Sequence, residues 1–351
     1  MDQSFIPTPD KIPVNWLWFH VLLLVTFLIH VILMNFIVGG SLLTLWDYLR
    51  GKPVKKDANS IPTLIALTIN FGVPPLLFVQ VLYGHLFYTS SLLMAVPWIL
   101  VIPVLIIAYY GAYIFVYKYE NKKKLARVSL TLSTLFLLAI AFVYVNNITL
   151  SMSPERFIKY FENSKGWNLN LQEPSLIPRY LHYIVAAIAV AGLGRAAFYH
   201  FSKAIDREEK IKERNDGLKI FSYATMMQVI VGVLFWFSLP DPVGKLLIGG
   251  DITFSLLLGL GIILAFLLIT TAVRRKFMVT LFMMIPLLSI MILVRDFVRR
   301  AYLSDVFQPS QLENVNQSSS LILFLVVFAI GLASLWYMIR LMIVKPKTFQ
   351  A

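Results

Sequence analysis

The side chains best suited to chemistry are five histidines, His20, His30, His85, His182 and His200, and the acidic group of Arg295-Asp296-Phe297-Val298-Arg299-Arg300. His182 stands about a turn inside an apolar run that opens as Ile177-Pro178-Arg179-Tyr180-Leu181-His182. A neutral imidazole in hydrocarbon has to find a partner, because an unpaired polar group there costs several kcal/mol. Heme iron is one such partner, and a hydrogen bond to a neighbouring helix is the other. Asp296 has Arg295 at i−1 and Arg299 at i+3, at the end of an apolar run. That pattern reads either as a structural ion pair or as a place where arginines meet an anionic group such as a heme propionate. Met291 precedes it at a depth where a thioether is able to act as an axial ligand, whereas Met226, Met227, Met283 and Met284 read as core filler.

The elements that must position these groups follow from composition. The 351 residues are 58% hydrophobic and 14% charged, with a mean hydropathy of +0.76, a balance that excludes a soluble globular domain. The reading is an all-α polytopic membrane bundle. Apolar runs near the 20 residues a bilayer requires lie at about 16–46, 62–88, 92–117, 126–147, 179–200, 219–239, 252–273, 277–298 and 319–343. Met1 to Val14 is polar and lacks the basic start and cleavage site of a signal peptide, so the first span is expected to be retained. With no cysteine, disulfides, iron–sulfur ligation, thiolate zinc and covalently attached heme are excluded from this chain.

The net charge of +13 is distributed by loop. Arg50, Lys52, Lys55 and Lys56 fall after the first span, and Lys118, Lys122 to Lys124 and Arg127 after the third. Lys203 to Lys219 follow the fifth, Arg274 to Lys276 the seventh, and Lys345 and Lys347 the last. This alternation puts the N-terminus outside and the C-terminus inside, and makes nucleic acid an unsuitable partner. His20, His85 and His182 then share one depth near the outer face. His30 lies roughly 15 Å deeper than His20 and roughly 80° around the helix, so the two need separate partners. His200 falls at the inner boundary as an ordinary interfacial residue, and His85, in Tyr-Gly-His-Leu-Phe, reads as bonded to a neighbouring helix. The external segments 146–179 and 299–319 are the natural docking surfaces for a partner.

Several segments resemble subunit I of the cytochrome bd quinol oxidases. Phe27-Leu-Ile-His30 followed by Gly39-Gly40 is similar to that family's first helix, and Arg179-Tyr-Leu-His182 falls where its fifth helix carries a low-spin heme histidine. Asn70-Phe-Gly-Val73, Val145 to Pro154 and Leu258-Gly-Leu-Gly261 resemble segments of its second, fourth and seventh helices. Asp296-Phe-Val-Arg299-Arg-Ala-Tyr302 is similar to a family segment whose carboxylate ligates a high-spin heme. The resemblance implies one or more b-type hemes, held by His182 and His30, and the depth of His20, His85 and Met291 makes one of these the expected sixth ligand of the low-spin site. It also implies arginines 295 and 299 on propionates and Asp296 as a weak ligand or proton acceptor.

The departures bear on the reaction. Leu257 and Ser255 stand where the family has a ligating methionine and a nearby arginine, and Leu100 and Ala108 stand where its third helix has two acidic residues. An acid-free third helix cannot bring protons to an oxygen-reducing iron in the family's way. The long quinol loop is reduced to Leu239 to Asp251, in which Asp241, Lys245 and Asp251 are able to bind a quinone carbonyl, although turn formation explains Pro-Asp-Pro and Gly-Gly-Asp equally well. The expected function is therefore a b-type cytochrome of the bacterial cytoplasmic membrane. It passes electrons between quinol and a periplasmic multiheme cytochrome c or iron–sulfur subunit, within a hetero-oligomeric complex. The alternatives are a heme-free quinone-docking anchor, a bd-type oxygen reductase and a secondary transporter. Against the last, neither an inverted repeat nor paired broken helices is visible.

Overall fold

The computed structural model describes residues 6–54, 58–203, 205–315 and 318–343. Among them, nine helices are long and apolar enough to cross a membrane: α1 (Trp16–Leu49), α2 (Ile61–Leu93), α3 (Ala95–Lys118), α4 (Lys123–Ser151), α5 (Leu176–Phe201), α6 (Arg207–Phe237), α7 (Ile252–Val273), α8 (Phe277–Tyr302) and α9 (Ser318–Ile343). The protein is thus a multi-pass helical bundle, as its hydropathy requires. Lys55, Lys56, Lys345 and Lys347 lie outside the described residues.

Local chemistry sets the helix ends. Asn15 Oδ1 accepts from the Leu17 N–H at 2.9 Å, Asp206 from Glu208 at 2.9 Å, and Asp251 from Phe254 at 3.0 Å, each satisfying a first-turn donor. Within the spans, hydroxyls return to their own helix, as Thr26 does to the Leu22 carbonyl and Thr68 to that of Leu64, both at 2.7 Å. No water is needed to satisfy them.

Three boundaries differ from those the apolar runs predict. Residues 88–92 continue α2, and the chain turns only at Met94, buried in the cluster of Leu82, Leu86 and Phe307. α6 begins at Arg207 rather than near 219, because its charged first turns are good helix formers with a capping aspartate and extend past the apolar stretch. Residues 239–251 are not an open loop: Asp241–Lys245 is a helical turn, and the indole N–H of Trp236 donates to the Gly244 carbonyl at 3.1 Å. α2 also breaks helical geometry at Tyr83 (φ −133°, ψ 25°), downstream of Pro74-Pro75.

Helix contacts rely on small residues. α1 packs on α2 and α5, α5 on α6, α3 on α4, and α7 on α8. A Cβ on Gly217 would stand 2.6 Å from the Gly192 carbonyl oxygen, and one on Gly39 would overlap the Ala187 carbonyl, so α6–α5 and α1–α5 are in backbone contact. α9 exposes large apolar side chains along its length, among them Ile322, Phe324, Phe328, Trp336 and Leu341.

At the end of the bundle where α2, α4 and α8 finish, the connecting segments fold back. Ile12 and Asn314 form a bridge, with Ile12 N–H to Glu313 O and Val315 N–H to Ile12 O both 2.9 Å. Residues 152–175 pin themselves to the bundle through Asn168 N–H on the Leu93 carbonyl and Asn170 N–H on Asn146 Oδ1. The two segments expected to be free docking surfaces are in large part a cap over this end.

Candidate functional site

Beneath that cap, α1, α2, α5, α6 and α8 converge on a buried polar group. Asp296, 2% exposed, is its only carboxylate inside α8. The i−1 and i+3 arginines are not its ion-pair partners. Asp296 Oδ2 pairs instead with His20 Nε2 on α1 at 3.4 Å and with Arg300 Nε, one turn on, at 3.1 Å. Arg295 donates to the Tyr183 hydroxyl at 3.3 Å and lies 4.2 Å over the Phe27 ring. Arg299, 7% exposed, sits 4.9 Å over Tyr83, with Nη1 lacking a hydrogen-bond partner. An i, i+3 pair shares a helix face, yet a neighbouring helix nearer to the carboxylate takes it, and the freed guanidinium groups settle on aromatic faces.

Arg179 is the member that sequence reasoning missed. At 3% exposure it lies 4.9 Å from the Phe235 ring and 5.9 Å from the Tyr302 ring, its Nη2 3.5 Å from Ser175 Oγ and its Nε without a partner. Glu173, the other acid at this level, is committed elsewhere. It accepts from Ser175 at 2.8 Å and Tyr302 at 3.3 Å and pairs with Arg156 at 3.4 Å. Of the four guanidinium groups of this region, from Arg179, Arg295, Arg299 and Arg300, only that of Arg300 pairs with Asp296 among the described residues, and Arg179 and Arg299 are buried without an ion pair there. Such an excess of buried cation is costly without a further anion. A position beside Pro178, at the mouth of a span, reads in sequence as solvated; only the closure of Tyr302 and Phe235 over it buries it.

His182 lies one turn inward of Arg179 and shares its wall. The Phe235 ring that carries Arg179 is also 5.9 Å from the imidazole, and Gly232, one turn along α6, leaves room for the ring: an added Cβ would stand 3.4 Å from His182 Cε1. His182 Nδ1 is buried and has no hydrogen-bond partner. Gln228, a turn deeper on the same face of α6 as Gly232, has a buried Oε1 in the same condition, a second residue the sequence did not mark.

The remaining predicted residues are dispersed. His30 faces α2 rather than α5: a Cβ on Gly72 would stand 2.8 Å from its Cε1, the Thr68 carbonyl is its nearest acceptor, and its Nδ1 is unpartnered. His85 packs edge-on against Phe307 at 4.4 Å. Met291 fills the notch at Gly261 on α7 with its methyl group. His20 is held by Asp296 on Nε2, while its Nδ1 is buried and unpartnered. Each expected sixth ligand thus has a neighbour of its own, distinct from the Phe235 and Gly232 wall around His182. Asp241, Lys245 and Asp251 are exposed, and Asp251 is occupied as the α7 cap. Among the described residues, no three His, Cys, Asp or Glu side chains gather into a metal-holding group. That does not bear on heme, which takes one or two axial donors.

The arrangement is suited to holding a neutral imidazole toward a buried ligand and a polyanion just outside it. No family model matches the chain, and no curated protein and no solved structure is significantly similar to it.

Proposed function

We propose that the protein is a b-type cytochrome subunit that carries electrons between membrane quinol and a redox partner at the outer face of a bacterial cytoplasmic membrane. The observation that supports this most is the partnerless imidazole nitrogen of His182 one turn beneath the cation-rich group of Arg179, Arg295 and Arg299. A heme calls for both features: a neutral nitrogen inside the membrane and cations near its edge for two carboxylates. When bound, heme b supplies one-electron transfer at a potential set by its ligands and surroundings. The protein's part is to bind and to place. His182 would supply a nitrogen to the iron, and the three arginines, braced on Tyr83, Tyr183, Phe27 and Phe235, would hold its carboxylates. Asp296, paired with His20 and Arg300, would serve as a weak ligand or as the acceptor for a proton of the quinol. His30 is the second candidate ligand, at a different helix contact. Asp241, Lys245 and Asp251 form the candidate quinol contact. Leu257, Ser255 and the acid-free α3 argue against oxygen reduction. The electron acceptor is taken to be a periplasmic multiheme cytochrome c or an iron–sulfur subunit in a hetero-oligomeric complex.

A heme-free quinone-docking anchor is the second reading, favoured by the Thr68 carbonyl beside His30 and by the His20–Asp296 pair, which together give two of the imidazoles protein partners. Pyridine hemochrome analysis of the purified protein separates the two. A b-type spectrum is expected, with one heme equivalent lost in His182→Ala and one in His30→Ala. A colourless wild type overturns the cytochrome in favour of the anchor, and full heme in both variants overturns the ligand assignments.

A further inference from the structure

At the opposite end of the bundle from the arginine group, a second cationic site stands outside everything described above. α5 ends and α6 begins around a cavity of about 240 Å³ lined by His200, Arg207, Lys210, Ile211 and Arg214. Its walls are fixed. The His200 ring is 4.5 Å from Phe277 at the start of α8, and the backbone contact of Gly217 with Gly192 locks α6 against α5 just below. Arg214 has a buried Nε with no hydrogen-bond partner, and no ion pair of the described residues uses Arg207, Lys210 or Arg214. Of the acids on this stretch, Asp206 caps the helix, Glu213 interacts with Arg195 and Lys52, and Glu208 and Glu209 are exposed on the first turn and do not line the hollow. Three cations and an imidazole thus line a hollow that contains no carboxylate.

The depth of the hollow selects its ligand. The contact of Gly217 with Ala196 brings Arg214, three residues before Gly217, level with His200, four residues after Ala196, and so with the inner end of the apolar run of α5. Lipid headgroups occupy roughly 5 to 8 Å outside the hydrocarbon on each side. Phe198 and Phe201, on the last turn of α5, are more than half or about half exposed, so lipid chains have an apolar surface beside the basic cup. We propose that this cup binds the phosphate of an anionic phospholipid, in the leaflet that the loop charges assign to the cytoplasm. The guanidinium forks of Arg207 and Arg214 and the Lys210 ammonium donate to the phosphate oxygens, and the acyl chains lie along Phe198 and Phe201.

The test compares the wild type with Arg207→Gln/Lys210→Gln/Arg214→Gln and with a control, Lys122→Gln/Lys123→Gln/Lys124→Gln, which removes equal charge from another loop on the same side. Each is delipidated in detergent, checked for an unchanged melting temperature, and titrated with phosphatidylglycerol, phosphatidylcholine or inorganic phosphate under native mass spectrometry. Wild type and control are expected to bind phosphatidylglycerol, and the cup variant to bind it about tenfold or more weaker. Equal binding by the cup variant and the control overturns the proposal. So does inorganic phosphate displacing the lipid at comparable concentration, which would make the cup a site for free phosphate. If the triple variant does not fold, Arg214→Gln alone carries the same comparison.

Discussion

Asp296 is buried between the His20 imidazole and the Arg300 guanidinium, and its removal would leave the guanidinium without a counter-charge and the imidazole without its polar neighbour. Breaking a buried pair by deleting one partner costs about 3–5 kcal/mol, against about 0–1 kcal/mol for an exposed pair. Asp296→Asn is therefore expected to lower the melting temperature in detergent well beyond Glu313→Gln, which removes the exposed pair with Lys11. Equal shifts would show that water reaches the Asp296 site. At this scale the sequence marked His182, His30 and Asp296 because a polar residue in an apolar run is conspicuous. It offered Arg295 and Arg299 as ion-pair partners of Asp296 or as contacts of an anionic group, and passed over Arg179, since an i, i+3 rule knows nothing of His20 arriving from α1 or of Tyr302 lying over α5.

Between elements, α5–α6 and α1–α5 are backbone-close crossings, flanked by buried clusters of larger side chains such as Leu193, Leu218 and Phe221. Gly217 on α6 has no space for a side chain, because the atoms facing it are Gly192 O and Ala196 N, both backbone. Gly217→Val is expected to force α6 from α5 and destabilise by about 1–3 kcal/mol, the range for overpacking. Gly259, with open space around it, provides the contrast: Gly259→Ala should be neutral or stabilising by up to about 1 kcal/mol. Thermal denaturation of the two variants measures the difference. If both behave alike, α5 and α6 are less intimately packed than described. The helices themselves were legible from hydropathy, but their ends were not. Headgroup-level residues such as Arg207 to Lys219 are polar and helical at once, and the turn at Met94 contains neither glycine nor proline to announce it.

For the whole molecule, the loop charges imply one orientation, and the absence of cysteine makes it directly measurable. Glu162→Cys, on the capped end, should react with a membrane-impermeant maleimide in intact cells, and Arg274→Cys, between α7 and α8, only after permeabilisation. The reverse pattern would invert the molecule and carry the arginine group and the lipid cup to opposite faces. The sequence by itself determined that the chain crosses a bilayer as a bundle of helices, because hydropathy adds residue by residue along the chain. Only the tertiary structure decided that Asp296 belongs to His20 and Arg300, that Arg179 is buried beside His182, and that the outer segments close into a cap. Those outcomes depend on which helices lie within a few ångströms of one another, and no local pattern encodes that distance.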